Sequence, residues 1–122
     1  MKSHKDLDVW KKSMELVTNI YRLTRGFPQE EQYGLSSQIR RSAISIPSNI
    51  AEGAARNSDK EYKHFLYISL GSASELETQL LIAENLGFLN VESNLQHDIS
   101  AIRKMLTGLI SYVNKKKKPG TV

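Results

Sequence analysis

Six residues near the end of the chain constrain its fold most. Leu95, Ile99, Ile102, Leu106, Leu109 and Val113 recur at spacings of four, three, four, three and four. Such a repeat lays one apolar stripe along a helix, and the stripe needs partner helices to bury it. Three further segments carry helical periodicity, and none shows the sustained alternation of a half-buried strand.

The first of these runs from about Leu7 to Arg25. Leu7, Trp10, Met14, Val17, Tyr21 and Thr24 form its heptad stripe, with Asp6 or Asp8 available as the cap. A second stripe of Val9, Leu16, Ile20, Leu23 and Phe27 runs beside it, making an apolar face wider than one bundle needs to cover. Gly26 and Phe27-Pro28 should end this helix, since glycine tolerates a left-handed cap and proline disfavours helix before it.

The second segment spans about Leu35 to Ala55, with Leu35, Ile39, Ser42, Ile46, Ile50 and Gly53 on one face. Pro47 interrupts the pattern and removes a donor from the carbonyl of Ala43, so a kinked but continuous helix is expected. Ser45, Ser48 and Asn49 surround the kink and can supply hydrogen bonds there. The third segment opens on a capping box, Ser58-Asp59-Lys60-Glu61, and ends at Gly87. Its stripe is Tyr62, Phe65, Ser69, Ala73, Leu76, Leu80 and Ala83. Gly71 lies inside it at a cost of about 1 kcal/mol against alanine. Close packing against the small residues of the second helix would explain that glycine. The fourth helix should begin after Asn90 as its cap and fray into the lysine run.

Short connections make consecutive helices antiparallel neighbours. The expected architecture is all-α: an antiparallel up-down-up-down four-helix bundle over residues 1–114. A basic, disordered tail over residues 115–122 follows, marked by Pro119-Gly120. A chain of 122 residues can bury such a core as one domain without staples.

Charge is distributed unevenly. Of 17 Lys and Arg residues, four stand at positions 115–118, leaving 13 against 13 Asp and Glu in the body. Residues 1–26 carry six basic and three acidic side chains, whereas residues 57–86 carry five acidic and two basic. The absence of cysteine excludes disulfides, thiolate metal sites and cysteine nucleophiles. No apolar run approaches the roughly 20 residues of a membrane span, and the basic start leads into no apolar stretch. A cytoplasmic protein without membrane contact is expected.

Catalytic constellations are missing from the sequence. There is no glycine-rich phosphate loop, no His-Glu-x-x-His and no Gly-x-Ser-x-Gly. Glu61-Tyr62-Lys63-His64 matches half of a di-iron pattern, but Glu61 is better explained by the capping box. Glu52, Glu75 and Glu77 fit ion pairs with Arg40, Arg41 or Arg56 better than acid–base chemistry. The chain is therefore expected not to be an enzyme, and no cofactor, metal or small-molecule substrate is indicated.

The most distinctive stretch is the block from Gln38 to Gly53, with RRSAISIPSNIAEG at its heart. Together with Asp6-Leu7-x-Val9-Trp10, Phe27-Pro28, Gly71-Ser72-x-x-Glu75-Leu76-Glu77 and Gly87-Phe88-Leu89, it resembles the bundle family encoded in intervening sequences of bacterial 23S rRNA genes. That family is also labelled S23 ribosomal protein. The resemblance spans nearly the whole chain. It implies a ring-shaped homo-oligomer, usually a homopentamer. A similar bundle, the accessory variability protein of diversity-generating retroelements, is pentameric and binds nucleic acid and a reverse transcriptase.

Two functions then compete. One is binding of structured RNA or other nucleic acid through Lys11, Lys12, Arg22, Arg25, Arg40, Arg41, Lys115, Lys116, Lys117 and Lys118. Arginine forks suit phosphate, and a ring multiplies each patch. The other is a protein-interaction scaffold that docks a partner such as a polymerase or an RNA-maturation enzyme through exposed apolar surface. Arg40 and Arg41 can also serve as ion-pair partners of Glu75 or Glu77.

Overall fold

The computed structural model describes residues 3–90 and 94–117. Among them lie four long helices and no strand: α1 (Asp8–Thr24), α2 (Leu35–Ala54), α3 (Asp59–Asn85) and α4 (Leu95–Lys117). Short 3-10 turns occupy His4–Asp6 and Gln29–Glu31. No described helix is long and apolar enough to cross a membrane.

Cross-helix bonds give the topology. On α2 and α3, Ser45 and Ser72 share a hydroxyl hydrogen bond at 2.8 Å, while Ser69 Oγ donates to the Ile46 carbonyl at 2.9 Å. On α3 and α4, Lys63 Nζ donates to Asn114 Oδ1 at 2.6 Å, and Arg103 meets Glu77 at 3.2 Å. Numbers rise on one helix as they fall on its neighbour, so the pairs are antiparallel. α1 packs on α2 and α4, α3 packs on the same two, and the backbones of neither diagonal pair come close together. This is an up-down-up-down bundle in which α1 and α3 face away from each other.

The core is aliphatic. Leu16, Ile20, Ile39, Ile46, Ile50, Leu66, Leu76, Leu80, Ile99, Ile102, Leu106 and Val113 are fully buried. Each such side chain contributes roughly 1.5–3 kcal/mol through removal from water. The α4 stripe is inward as expected, except that Leu109 is half-buried and Ile110 is buried beside it.

On α1 the two stripes exchange roles. Val9, Leu16, Ile20 and Phe27 are buried together with Ser13 and Thr24, whereas Trp10, Val17 and Tyr21 are half-buried and Met14 is 43% exposed. The heptad count alone does not decide which edge of this wide apolar face turns inward. Ser13 completes the inner stripe because its hydroxyl is spent on the Trp10 carbonyl at 2.8 Å, leaving no polar group unsatisfied.

Several helix ends also depart from expectation. Neither Asp6 nor Asp8 caps α1: Leu7 holds that place without a side-chain bond, and Asp8 sits in the first turn, where its charge favours the helix dipole. Gly26 is not left-handed; Gly87 alone among the described residues has positive φ. α1 ends instead by a tightened turn, with Gly26 N donating to Leu23 O and Phe27 N to Thr24 O. α2 starts on the Glu31 carboxylate, which accepts from Leu35 N at 3.2 Å. Ser58 Oγ accepts from Glu61 N as the capping box requires, but the Glu61 carboxylate turns to Arg56 at 3.6 Å. At Gly87 the α3 terminus closes with Gly87 N to Glu84 O and Phe88 N to Ala83 O, the Schellman pattern. α4 begins at Leu95, so Asn90 does not cap it; Asn94 directly precedes it, and its carbonyl accepts from Asp98 N. α4 continues through Lys117, three residues into the run expected to be coil.

α2 passes through Pro47 unbroken. Asn49 Nδ2 donates to both the carbonyl and the hydroxyl of Ser45 at 2.8 Å, so the polar support sits at Ser45 and Ile46 instead of Ala43. Close approach of α2 and α3 occurs at Gly53. A Cβ there would lie 2.9 Å from Phe65 Cβ and 3.1 Å from the Tyr62 carbonyl. Gly71, expected to serve this purpose, is exposed and would meet nothing within 4 Å.

Candidate nucleic-acid interface

Ion pairing sorts the basic residues. Lys12 meets Asp98 at 3.6 Å, Arg56 meets Glu52 at 2.6 Å and Glu61 at 3.6 Å, Arg103 meets Glu77, and Lys116 meets Asp59 at 3.7 Å. Exposed pairs add little stability, but they cancel the local field that a phosphate would feel. No described carboxylate pairs with Lys11, Arg22, Arg25, Arg40, Arg41 or Lys115. Unpaired arginine therefore concentrates at the end of the bundle where α1 runs into α2.

Arg40 is the most ordered of these. Its Nε donates to Thr24 Oγ1 at 2.8 Å, and the Thr24 hydroxyl in turn donates to the Ile20 carbonyl at 2.8 Å. The guanidinium carbon lies 4.4 Å from the centre of the Tyr21 ring, and Nη2 reaches the Tyr21 carbonyl at 3.5 Å. Stacking and hydrogen bonding to α1 thus hold the fork in one orientation. Within the chain Arg40 is tied to α1 and not to Glu75 or Glu77, and Glu77 is taken by Arg103.

Beside Arg40 a groove of about 370 Å³ opens between the end of α1 and the start of α2. Arg25, Gln29, Gln32 and Ser36 share its walls with Thr24 and Arg40, and Phe27 and Pro28 complete it. No carboxylate lines it. Arg22 stands one turn before Arg25 on the exposed side of α1. Arg41 belongs to a different groove of about 380 Å³ between α2 and α3, shared with Glu75 and Gln79. The Gln79 Oε1 atom there is buried without a hydrogen-bond partner.

The ten basic residues proposed from sequence therefore do not form one surface. Arg25 and Arg40 come together in one groove, and Arg22 stands one turn before Arg25; Arg41 lies on the α3 side. Lys11 is exposed about 16 Å up α1 from Arg22 at 1.5 Å per residue. Lys12 turns to α4, Lys115 and Lys116 stand at the end of α4, Lys117 lies within that helix, and Lys118 lies outside the described residues. Tyr21 and Thr24, which position Arg40, were legible only as members of an apolar stripe. Gln29, Gln32 and Ser36 carried no signal in periodicity.

The opposite side of the bundle is apolar. Tyr67, Ile68, Leu81, Ile82 and Leu86 are exposed along α3, with Gly71 between them and open space above it. Among the described residues no group of His, Cys, Asp and Glu can hold a metal ion. A larger cleft of about 720 Å³ lies at the far end, over Leu7, Ala51, Ala54 and Tyr62. Of its charged walls, Arg56 pairs with nearby Glu52 and Glu61 and Lys116 pairs with Asp59. Burial, with Asp59 nearby, raises the Tyr62 hydroxyl above the ordinary tyrosine pKa.

Comparison with known proteins bears on this arrangement. The family described as 23S rRNA-intervening sequence protein matches residues 5–108. A crystal structure at 1.70 Å of a protein of unknown function from the S23 ribosomal protein family, from Bacteroides thetaiotaomicron, superposes with a TM-score of 0.78. It is 29% identical over 84% of this chain and 95% of its own. No curated protein matches.

Proposed function

Since the chain belongs to the 23S rRNA-intervening sequence protein family, we propose that it is a self-assembling, non-enzymatic bundle that binds structured RNA through its basic side. One observation carries this reading: the diagonal helices α1 and α3 turn chemically different faces outward, the first with more basic than acidic residues and the second rich in large apolar ones. α1 presents Lys11 and Arg22 against Asp8 and Glu15, with Arg25 just past its end, whereas α3 presents Tyr67, Ile68, Leu81, Ile82 and Leu86 together with Gly71, Glu75 and Thr78. Phosphate backbones bind unpaired arginine and lysine regardless of sequence, and contiguous exposed apolar surface favours association.

In this reading α3 packs on another copy while α1 and the start of α2 stay free for RNA. The contact is heterologous, between different faces of successive copies, and such contacts close into rings when the rotation permits. Five copies is the number the family resemblance implies. The non-enzymatic part is supported by the fate of the carboxylates: Glu52 and Glu77 are spent on Arg56 and Arg103.

The test joins light scattering on the eluting protein with fluorescence anisotropy of a labelled RNA stem-loop at roughly 50 and 200 mM salt, since phosphate binding weakens steeply over that range. A mass above one chain, with salt-sensitive binding that survives removal of residues 115–122, supports the proposal. A monomer, or binding that vanishes with those lysines, overturns it. A monomer would also direct attention to α3 as the seat of a different protein partner.

A further inference from the structure

We propose that the groove between the end of α1 and the start of α2 is a phosphate-binding site, which grips one backbone phosphodiester of RNA between Arg25 and Arg40. This rests on the RNA-binding reading above and names the site through which it acts.

Arg40 is the fixed jaw. Its Nε is committed to Thr24 and its flat face to Tyr21, so the fork is oriented before any ligand arrives. Nη2 spends one hydrogen on the Tyr21 carbonyl at 3.5 Å, which leaves its other hydrogen and both on Nη1 for a ligand, and pre-ordering reduces the entropy lost on binding. Arg25 is the second jaw: its side chain is exposed and has no ion pair among the described residues that would compete with a ligand. Gln29, Gln32 and Ser36 add neutral donors between the two. A tetrahedral oxyanion has several acceptor oxygens and a delocalised charge, which two guanidinium forks and two amides complement.

The α2–α3 groove makes the contrast. It is similar in size and also carries one arginine, Arg41, but the Glu75 carboxylate shares its wall and would repel an anion. The α1–α2 groove has no such group.

Arg25→Gln is the primary variant, because Arg25 supports nothing in the fold. Titrated with the labelled stem-loop, it should bind about tenfold more weakly and lose about one unit of slope in log affinity against log salt. Arg40→Lys, which keeps the charge and loses the fork, should also weaken binding, with its thermal melt recorded to separate binding from folding. If Arg25→Gln binds with unchanged affinity and slope, the groove proposal is overturned and the RNA reading stands on Arg22 and Lys11. Inorganic phosphate, followed through the side-chain amide signals of Gln29 and Gln32, distinguishes the source. Saturable shifts that Arg25→Gln abolishes, without any stem-loop binding, would keep the phosphate site and overturn the RNA assignment. Silence of those signals toward both probes overturns the site altogether.

Discussion

Gly53 on α2 faces Phe65 on α3 so closely that a Cβ on the glycine would stand 2.9 Å from the Cβ of the phenylalanine. The obstructing atom is next to the α3 backbone, and the Tyr62 carbonyl at 3.1 Å is part of it, so no side-chain rotation relieves the clash. Gly53→Ala should therefore destabilise the protein by about 1–2 kcal/mol, the overpacking cost exceeding the gain of about 1 kcal/mol in helix propensity. Gly71 is the control. With nothing within 4 Å, Gly71→Ala should stabilise the fold by up to about 1 kcal/mol. Urea denaturation of the two variants measures both signs; two losses of equal size would contradict the placement of the helix contact.

That pair also shows what the sequence could and could not reveal. Four periodic segments, short connections and the Ser58 cap were enough to predict the bundle and its helix limits within a residue or two for α1 to α3. Periodicity did separate the two glycines, since Gly53 continues the apolar stripe of α2 and Gly71 stands off that of α3, but the helix-interior cost of Gly71 drew the expected close packing to the wrong one. It could not choose between the two stripes of α1, since a wide apolar face satisfies both, and only the buried Ser13 with its internal hydrogen bond breaks the tie. The basic residues were visible as types but not as a site. Whether an arginine is paired depends on what another helix places opposite it, as Glu77 does for Arg103 and no described carboxylate does for Arg40. The Tyr21–Arg40–Thr24 arrangement joins residues sixteen or more apart in sequence, beyond the reach of any local pattern.

The exposed apolar stripe of α3 yields a second expectation. Ile68→Glu combined with Ile82→Glu puts two charges on the surface proposed to pack on another copy, while neither residue belongs to the buried core. The doubly substituted chain should keep its helical circular dichroism and elute as a monomer at concentrations where the parent is assembled. An unchanged mass would remove α3 from the interface.

A third concerns the support of Arg40. Thr24→Val keeps the shape but removes the hydroxyl that accepts from Arg40 Nε, in a position that is 4% exposed. Leaving a partly buried guanidinium N–H unsatisfied costs about 1–3 kcal/mol, so the midpoint of denaturation should fall accordingly. Thr24→Ser, which restores the acceptor, should recover most of the loss. If valine is tolerated as well as serine, the hydrogen bond is not what holds Arg40 in place.

The last expectation is a pH dependence at the far end of the bundle. Burial, and secondarily the Asp59 carboxylate, raises the Tyr62 pKa in the folded chain above the ordinary value of about 10. The unfolded chain therefore releases this proton first as pH rises. Between the unfolded and folded values the native state binds more protons than the unfolded state, so stability must fall with rising pH. The contribution of Tyr62 is complete below about pH 10 and is lost as pH climbs through the raised value. Lysines and the other tyrosines titrate in the same range, so the slope of the parent alone identifies nothing. Tyr62→Phe removes this one titration and keeps the ring over the cleft beside Ala51 and Ala54. The variant should follow the parent in urea denaturation up to about pH 10 at a constant offset and lose less stability above it. Parallel curves throughout that range would show that the Tyr62 hydroxyl titrates alike in the folded and unfolded chains, and that its place against α2 does not desolvate it.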